Sequence, residues 1–472
     1  MPIFERVTEV EASAVDLFRY HAAPDAFSRL TPPWDDVDVV RPLARLADGE
    51  VAEFKVGVGP LKVRWVARHE HVADGADGGV AGFDDVMVTG PASSWRHEHR
   101  FEPVAVGRAL LRDRITWSTA PGGGLVVGPM LERMFRFRHR RTVSDLALDR
   151  ALTALPDGER RRVVGVSGAS GLIGREVCSL LRVLGHEVRP LVRVATAGAA
   201  TSSAPGTIAW HPASGAIDHQ AARGLHAIVH LAGENIADGR FTAVKQARLR
   251  RQRVDDTLAL WRSLASLPAP PGVVVGAAAV GIYGDRGDEP IDEASAAGRG
   301  PLSAFCVDWE GAVLAAATML PGARAVALRI GIVQSPRGGA LGKVLPVFRA
   351  GLGGPLGDGN AFVPWIAVDD MADIVVRAIV DGRVAGAINA VAPTPVRQRD
   401  YARALGAALR RPAIVPVPRF ALKAVLGAEL GEHVVESMRA SPRALLSLGH
   451  RFRHATIDDA FSHLLGEDGA RP

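Results

Sequence analysis

Apolar positions follow two different rhythms in the two parts of this chain. Over the first 120 residues, strand-like runs are expected at Phe4–Val10, Val37–Arg41, Val51–Val58, Leu61–His71, Phe83–Val88, Trp95–Phe101 and Leu110–Ser118. Turn-forming segments such as Ala73–Gly79 separate some of them. Ala14–His21 and Asp25–Leu30 read as short helices. A long helix over Met130–Leu148 follows, with Met130, Leu131, Met134, Phe135 and Phe137 spaced to pack on a sheet.

From residue 163 the pattern changes. Val163–Val166 reads as a buried parallel strand, and Gly168, Gly171 and Gly174 follow it at a G-x-x-G-x-x-G spacing. Ile173, Val177, Leu180, Leu181 and Leu184 then recur at helical spacing, and Gly185 is the expected stop. Further strands are expected at Glu187–Arg193, Ala227–Gly233, Val273–Gly284 and Ala325–Val333, with helical patterns between them. Alternating strands and helices predict an α/β doubly wound parallel sheet. Residues 1–150 read as one α+β unit, 151–162 as a linker, 163–390 as a Rossmann domain and 391–472 as a C-terminal substrate lobe.

The strand, glycine turn and helix together form a dinucleotide cradle. Gly168 permits the tight turn, Gly171 lets backbone approach a pyrophosphate, and Gly174 lets helix pack on strand. Free N–H groups at the helix N-terminus face the phosphates. The second strand ends at Arg193, where an NAD-binding unit usually carries an acid. A guanidinium cannot accept from ribose hydroxyls but pairs well with a 2′-phosphate, so NADP is the expected cofactor. Leu231, Ala232 and Gly233 give a small-residue strand exit, with Glu234 just beyond. The expected cofactor-binding set is Gly168, Ala169, Ser170, Gly171, Leu172, Ile173, Gly174, Arg193, Leu231, Ala232, Gly233, Glu234 and Arg329.

With 472 residues, two or three domains are expected. The longest apolar-rich candidate, Val273–Tyr283, is too short to span a membrane, and Met1–Arg6 lacks a basic-then-apolar leader pattern. Cys178 and Cys306 are the only cysteines, which excludes a disulfide framework and fits a cytoplasmic protein. The net charge of +5 is modest for this length, and no aromatic-basic motif accompanies it, so no nucleic-acid partner is expected. Arg133, Arg136, Arg138, Arg140 and Arg141 crowd the long helix and read as a solvated face.

His69 and His71 alternate on one strand and His97 and His99 on another. Were those strands to pair, four imidazoles would share a face. No carboxylate or cysteine completes a recognisable ligand spacing, so they are read as surface histidines and no metal is assigned.

Two resemblances add to this reading. The order of elements in the first 150 residues resembles the START-like helix-grip (SRPBCC) family. So do Leu30–Trp34, Gly90-Pro91, Trp95–Phe101 and Arg138–Thr142. That resemblance implies a curved sheet wrapped around a long helix, often enclosing an apolar cavity, without implying which ligand fills it. Residues 163–472 resemble the atypical extended short-chain dehydrogenase/reductase family, the NAD-dependent or nucleoside-diphosphate-sugar epimerase-like proteins. The likeness rests on Gly168–Gly174, Leu231–Thr242, Ala279–Gly284, Phe348–Gly357, Pro364–Ile366, Pro416–Phe420 and Gly449–Arg453. It implies a Rossmann domain with a substrate lobe, NADP(H) held by Gly168–Gly174 and Arg193, and a small-molecule substrate.

The catalytic pattern of that family is missing. The three tyrosines are Tyr20, Tyr283 and Tyr401, and the fourth residue after each is Pro24, Gly287 or Leu405. No Tyr-x-x-x-Lys pair exists, and Gly276–Gly281 lacks the family's serine hydroxyls. Leu302 and Cys306 occupy the expected places on the Ser303–Ala317 helix, with Glu310 one turn on. Cys306 reads as a buried inert thiol, Tyr283 as structural or substrate-facing, and Asp369-Asp370 as a helix cap near Met371. No catalytic residue is assigned. Two classes stay open: an NADP-dependent oxidoreductase or epimerase, and an inactive NADP(H) sensor or scaffold whose first domain carries a ligand.

Overall fold

A computed structural model describes residues 1–41, 45–58, 61–119, 124–156, 158, 161–201, 204–236 and 238–467. Residues 157, 159 and 160 of the expected linker lie outside the described residues. The chain divides into two compact units. The first takes 1–151 with 179–185 and 463 onward; the second takes 152–178 and 186–462.

The first unit holds a seven-stranded antiparallel sheet in the order β1-β7-β6-β5-β4-β3-β2. Its strands are β1 (Ile3–Val10), β2 (Asp36–Arg41), β3 (Val51–Val58), β4 (Leu61–Ala73), β5 (Ala81–Thr89), β6 (Ser94–Ala105) and β7 (Arg108–Ser118). Helix α1 (Ala14–Ala22) starts at Ser13, whose Oγ accepts from Asp16 N at 3.1 Å. Helix α2 (Ala26–Leu30) follows, and α3 (Gly124–Thr153) is longer at both ends than its apolar stripe predicts. Alternation along β7 buries Ala109, Leu111, Asp113, Ile115 and Trp117. Leu131 and Phe135 of α3 pack on Ile115 and Trp117. A buried pair fastens α2 to α3: Arg29 makes two 2.8 Å bonds to Asp145, which also accepts from Tyr20 at 2.7 Å.

Two sequence expectations change here. β4 and β6 do not pair, because β5 lies between them. His69, opposite Asp85, His97 and His99 are buried rather than on the surface. The β4–β5 register slips after Glu70, and His71 takes φ +54°, so its exposed ring turns to Asp84 at 3.0 Å. On α3, Arg141 is buried and donates to Arg29 O at 2.9 Å, so the basic run is not wholly a solvated face.

The second unit is built on a seven-stranded parallel sheet. β8 (Val163–Ser167), β9 (Glu187–Arg193), β10 (Ile208–Trp210), β11 (Ala227–His230) and β12 (Val273–Ala279) are followed by Arg324–Ile330 and Gly386–Ala390. The order runs β10-β9-β8-β11-β12 and then those two strands. Strand direction therefore reverses its lateral progress between β8 and β11, the switch point at which such sheets open a ligand crevice. β8 is buried on both faces, as its unbroken valine run requires. Helix α4 (Leu172–Val183) follows the glycine turn.

The helical stretch Pro301–Met319 has a mean hydropathy of 1.2 and is long enough to cross a membrane, which no apolar run was expected to be. Its Trp309 and Val313 pack on Ala277, Ala278 and Ala327 of the parallel sheet, which accounts for the apolar face.

Candidate dinucleotide site

Each glycine of the turn has a distinct steric reason. Gly168 sits at φ +72°, and a Cβ there would lie 2.8 Å from the Leu231 carbonyl carbon. A Cβ on Gly174 would lie 2.1 Å from the Gly168 oxygen. Among the described residues the only close neighbour of a Cβ at Gly171 is that same oxygen, at 3.2 Å, so the backbone is open to an approaching pyrophosphate. Gly171 N closes the turn on Gly168 O at 2.9 Å, and Arg175 Nε bonds Ser170 O at 2.7 Å. The first-turn N–H groups of α4, which have no partner within the helix, begin here.

The ends of β8 and β11 are tied together. Ser167 Oγ bonds His230 Nδ1 at 2.7 Å and accepts from Ala232 N at 3.3 Å. Burial, then Arg253 and Arg193, push His230 down to about 3, so its ring is neutral. Beside this tie lies a cavity of about 240 Å³ lined by Arg193, Trp210, Ala232, Gly233, Arg251 and Asp256, among others. Of the expected residues, Arg193, Ala232 and Gly233 line this cavity, and Gly168 packs beside the Leu231–Ala232 backbone.

Arg253 is the residue that sequence reasoning missed. It lies buried on a π-helical turn over Arg251–Asp255, donating to Ala232 O at 3.0 Å and Glu234 O at 3.2 Å. Its guanidinium stacks on Trp309 at 4.4 Å, and a Cβ on Gly233 would meet it at 2.2 Å. Burial and Arg193 lower Arg253 to about 10, so it stays cationic at neutral pH. Nothing local marks it, since residues 248–253 read only as a basic run.

Two expected site residues are engaged elsewhere. Glu234 turns its carboxylate to Arg248, at 2.6 and 2.7 Å, and offers only its backbone to the crevice wall. Arg329 is buried against Glu310, at 2.7 and 2.8 Å, and donates to Tyr283 Oη at 2.6 Å. Tyr283 in turn donates to Asn389 Oδ1 at 2.7 Å. Arg329 thus anchors a buried polar network.

This topology is shared with known proteins. Residues 164–390 match the NAD dependent epimerase/dehydratase family, and residues 417–464 match a domain of unknown function (DUF1731). An epimerase family protein of Mycobacterium tuberculosis is 36% identical over 307 residues, spanning 65% of this chain and 99% of that protein. The chain belongs to the NAD dependent epimerase/dehydratase family. Human epimerase family protein SDR39U1, whose crystal structure contains NADPH, superposes with a TM-score of 0.57 at 33% identity. The match covers 64% of this chain and 98% of that one. The nucleoside-diphosphate sugar epimerase from Corynebacterium glutamicum superposes with a TM-score of 0.77 at 32% identity, over 98% of this chain and 90% of that one. This is an epimerase-family, NAD(P)-binding protein similar to SDR39U1.

On the helix where the family places its Tyr-x-x-x-Lys pair, Cys306 is buried. Burial, with Glu310 and Glu436 nearby, pushes its thiol up to about 12. No histidine stands near it in sequence, yet the fold supplies one. A Cβ on Gly281 would lie 3.4 Å from both the Cys306 sulfur and the His433 ring. His433 Nδ1 is paired with Glu436 at 2.5 Å. Asp369 and Asp370 are not helix caps: the cap position is Ala367, and both carboxylates are buried in the first turn. Asp370 instead accepts from Arg453 N at 2.6 Å and His454 N at 3.2 Å.

Proposed function

We propose that this protein is an NADP(H)-dependent oxidoreductase or epimerase acting on a small molecule. The observation that carries the reading is the cavity at the end of β9, where Arg193 and Arg251 outnumber the one carboxylate of the lining, Asp256, and no acid stands at the position of Arg193. Bound cofactor would supply hydride transfer at the nicotinamide. The chain's own residues would cradle the pyrophosphate on Gly168–Gly174 and take the 2′-phosphate on Arg193 and Arg251. His433, oriented by Glu436, is the group available to move a proton, because the Cys306 thiol is held protonated and Glu310 is paired with Arg329.

A second reading, an NADP(H)-binding sensor or scaffold without turnover, is favoured by the lack of any tyrosine or lysine on the helix carrying Cys306. One experiment separates the two: purified protein, NADPH and a broad carbonyl panel, followed by loss of reduced-nicotinamide absorbance. Turnover that survives Cys306→Ala but falls at least 100-fold in His433→Ala supports the enzyme. NADPH binding without turnover on any carbonyl supports the sensor.

For the first unit we infer a START-like helix-grip ligand carrier, supported by the order strand, two helices, strands and long helix. Native mass spectrometry of the full chain should reveal a co-purified apolar molecule; a chain of bare mass would count against it.

A further inference from the structure

We propose that Asp85, His97 and His99 bind one first-row divalent transition-metal ion inside the first unit, with a coordination position left for water or ligand. Asp85 lies on β5, and His97 and His99 on β6; Asp85 pairs with His97 across the two strands. Asp85 Oδ2 lies 3.4 Å from His99 Nε2 and 3.9 Å from His97 Nδ1. Each of these three side chains offers one ligand atom, and the three atoms lie within 4.8 Å of one another. Two ligands each about 2.1 Å from a tetrahedral ion stand about 3.4 Å apart, which the Asp85–His99 spacing matches and the 3.9 Å Asp85–His97 spacing would reach by closing slightly.

The opposite ring nitrogens behave differently. His97 Nε2 and His99 Nδ1 both lie 2.7 Å from Asp113 Oδ1 on β7. Asp113 Oδ2 lies 2.7 Å from His139 Nε2 on α3, whose Nδ1 is 2.8 Å from Thr8 Oγ1. A carboxylate that accepts from the far nitrogen of a ligating histidine fixes its tautomer and raises its basicity. Here Asp113 does so for His97, while His99 Nδ1 stands at the same distance without hydrogen-bond geometry. His69 Nδ1 lies 2.5 Å from Asp85 Oδ1, and Oδ2 is turned to the two rings. His99 stacks on Phe83 at 4.2 Å, and His97 meets the Phe135 edge at 5.1 Å, so both rings are locked.

A purely structural ion-pair cluster would close its short bonds on all sides. Here the contacts around Asp113 are short, whereas the hydrogen bond between His99 Nε2 and Asp85 Oδ2 is long, at 3.4 Å. The ligand set, two imidazoles and one carboxylate, is that of open catalytic-type sites for zinc and its neighbours rather than closed structural ones. The Asp85 side chain is 26% exposed, which gives an ion a way in.

The test uses the full chain, stripped with chelator and titrated with Co²⁺ as a spectroscopic probe, then with Zn²⁺ in competition. One Co²⁺ per chain with visible bands of low-symmetry coordination, displaced by Zn²⁺, is expected. His99→Gln should abolish the bands, and Asp113→Asn should weaken binding roughly 10–100-fold while keeping the stoichiometry. Circular dichroism and NADPH titration report whether each variant is folded. If His99→Gln does not fold, Asp85→Asn, at a partly exposed side chain, must give the same loss. No saturable Co²⁺ uptake by the wild type, or uptake unchanged in a folded His99→Gln or Asp85→Asn chain, overturns the proposal.

Discussion

Replacing Arg193 by Asp should cost NADPH affinity far more than NADH affinity. Arg193 and Arg251 are exposed guanidinia on the rim of one cavity. A charge-assisted hydrogen bond contributes about 1.5–3 kcal/mol, and exposure places each contact near the lower end, about tenfold in affinity. The new carboxylate adds repulsion of about 1 kcal/mol per phosphate charge at close range in a water-like dielectric. Together these give a loss of roughly 100-fold for NADPH. NADH has no 2′-phosphate and should change little. Arg251→Ala alone should lose about tenfold, and the pair should be less than additive because both groups meet one phosphate. Fluorescence titration of both cofactors measures this. The wild-type preference should shrink as salt rises, since the Debye length falls to about 8 Å at 0.15 M. Equal wild-type affinities for the two cofactors, or an unchanged NADPH affinity in the Arg193 variant, would refute the reasoning.

Gly174→Ala puts a Cβ 2.1 Å from the Gly168 oxygen, so at least a tenfold loss of cofactor binding is expected in a chain whose circular dichroism is unchanged. Glu310→Ala strands the buried Arg329 guanidinium and should cost about 3–5 kcal/mol by urea unfolding; a loss under about 1 kcal/mol would contradict the buried-pair description. Burial, then Asp373, raises the Asp370 carboxyl to about 8. The folded state therefore holds a proton that the unfolded chain releases near pH 4, and stability falls as pH rises from about 4 to about 8. Asp370→Asn cannot titrate and gives up one of the two backbone bonds, so its melting temperature should start below the wild type and gain on it as pH rises through that window. A constant difference between pH 5 and 9 would rule this out.

The chain's local chemistry settled what its local contacts could settle. The β8 strand, the glycine turn and α4 are contiguous, and each glycine answers to atoms within the same turn or the neighbouring strand end. They were legible because hydrophobic period and backbone sterics act over a few residues. The helix α3 and the strands of the first unit were legible for the same reason. The alternation along β7 even held an unread sign: Asp113 occupies an inward position between Leu111 and Ile115.

What tertiary structure decided depends on partners far apart in sequence. Arg329 looked available for cofactor until the fold set Glu310 and Tyr283 against it. Cys306 had no histidine near it in sequence, and the chain returned 127 residues later to set His433 beside Gly281. His71 left the face of His69 because the β4–β5 register slips after Glu70. Asp85 and Asp113 gained meaning only when β5, β6 and β7 lay side by side. A one-residue shift of register moves a side chain to the other face, and a buried charge must find its counter-charge wherever the fold puts it. Those two facts are properties of the assembled sheets, and no window of sequence contains them.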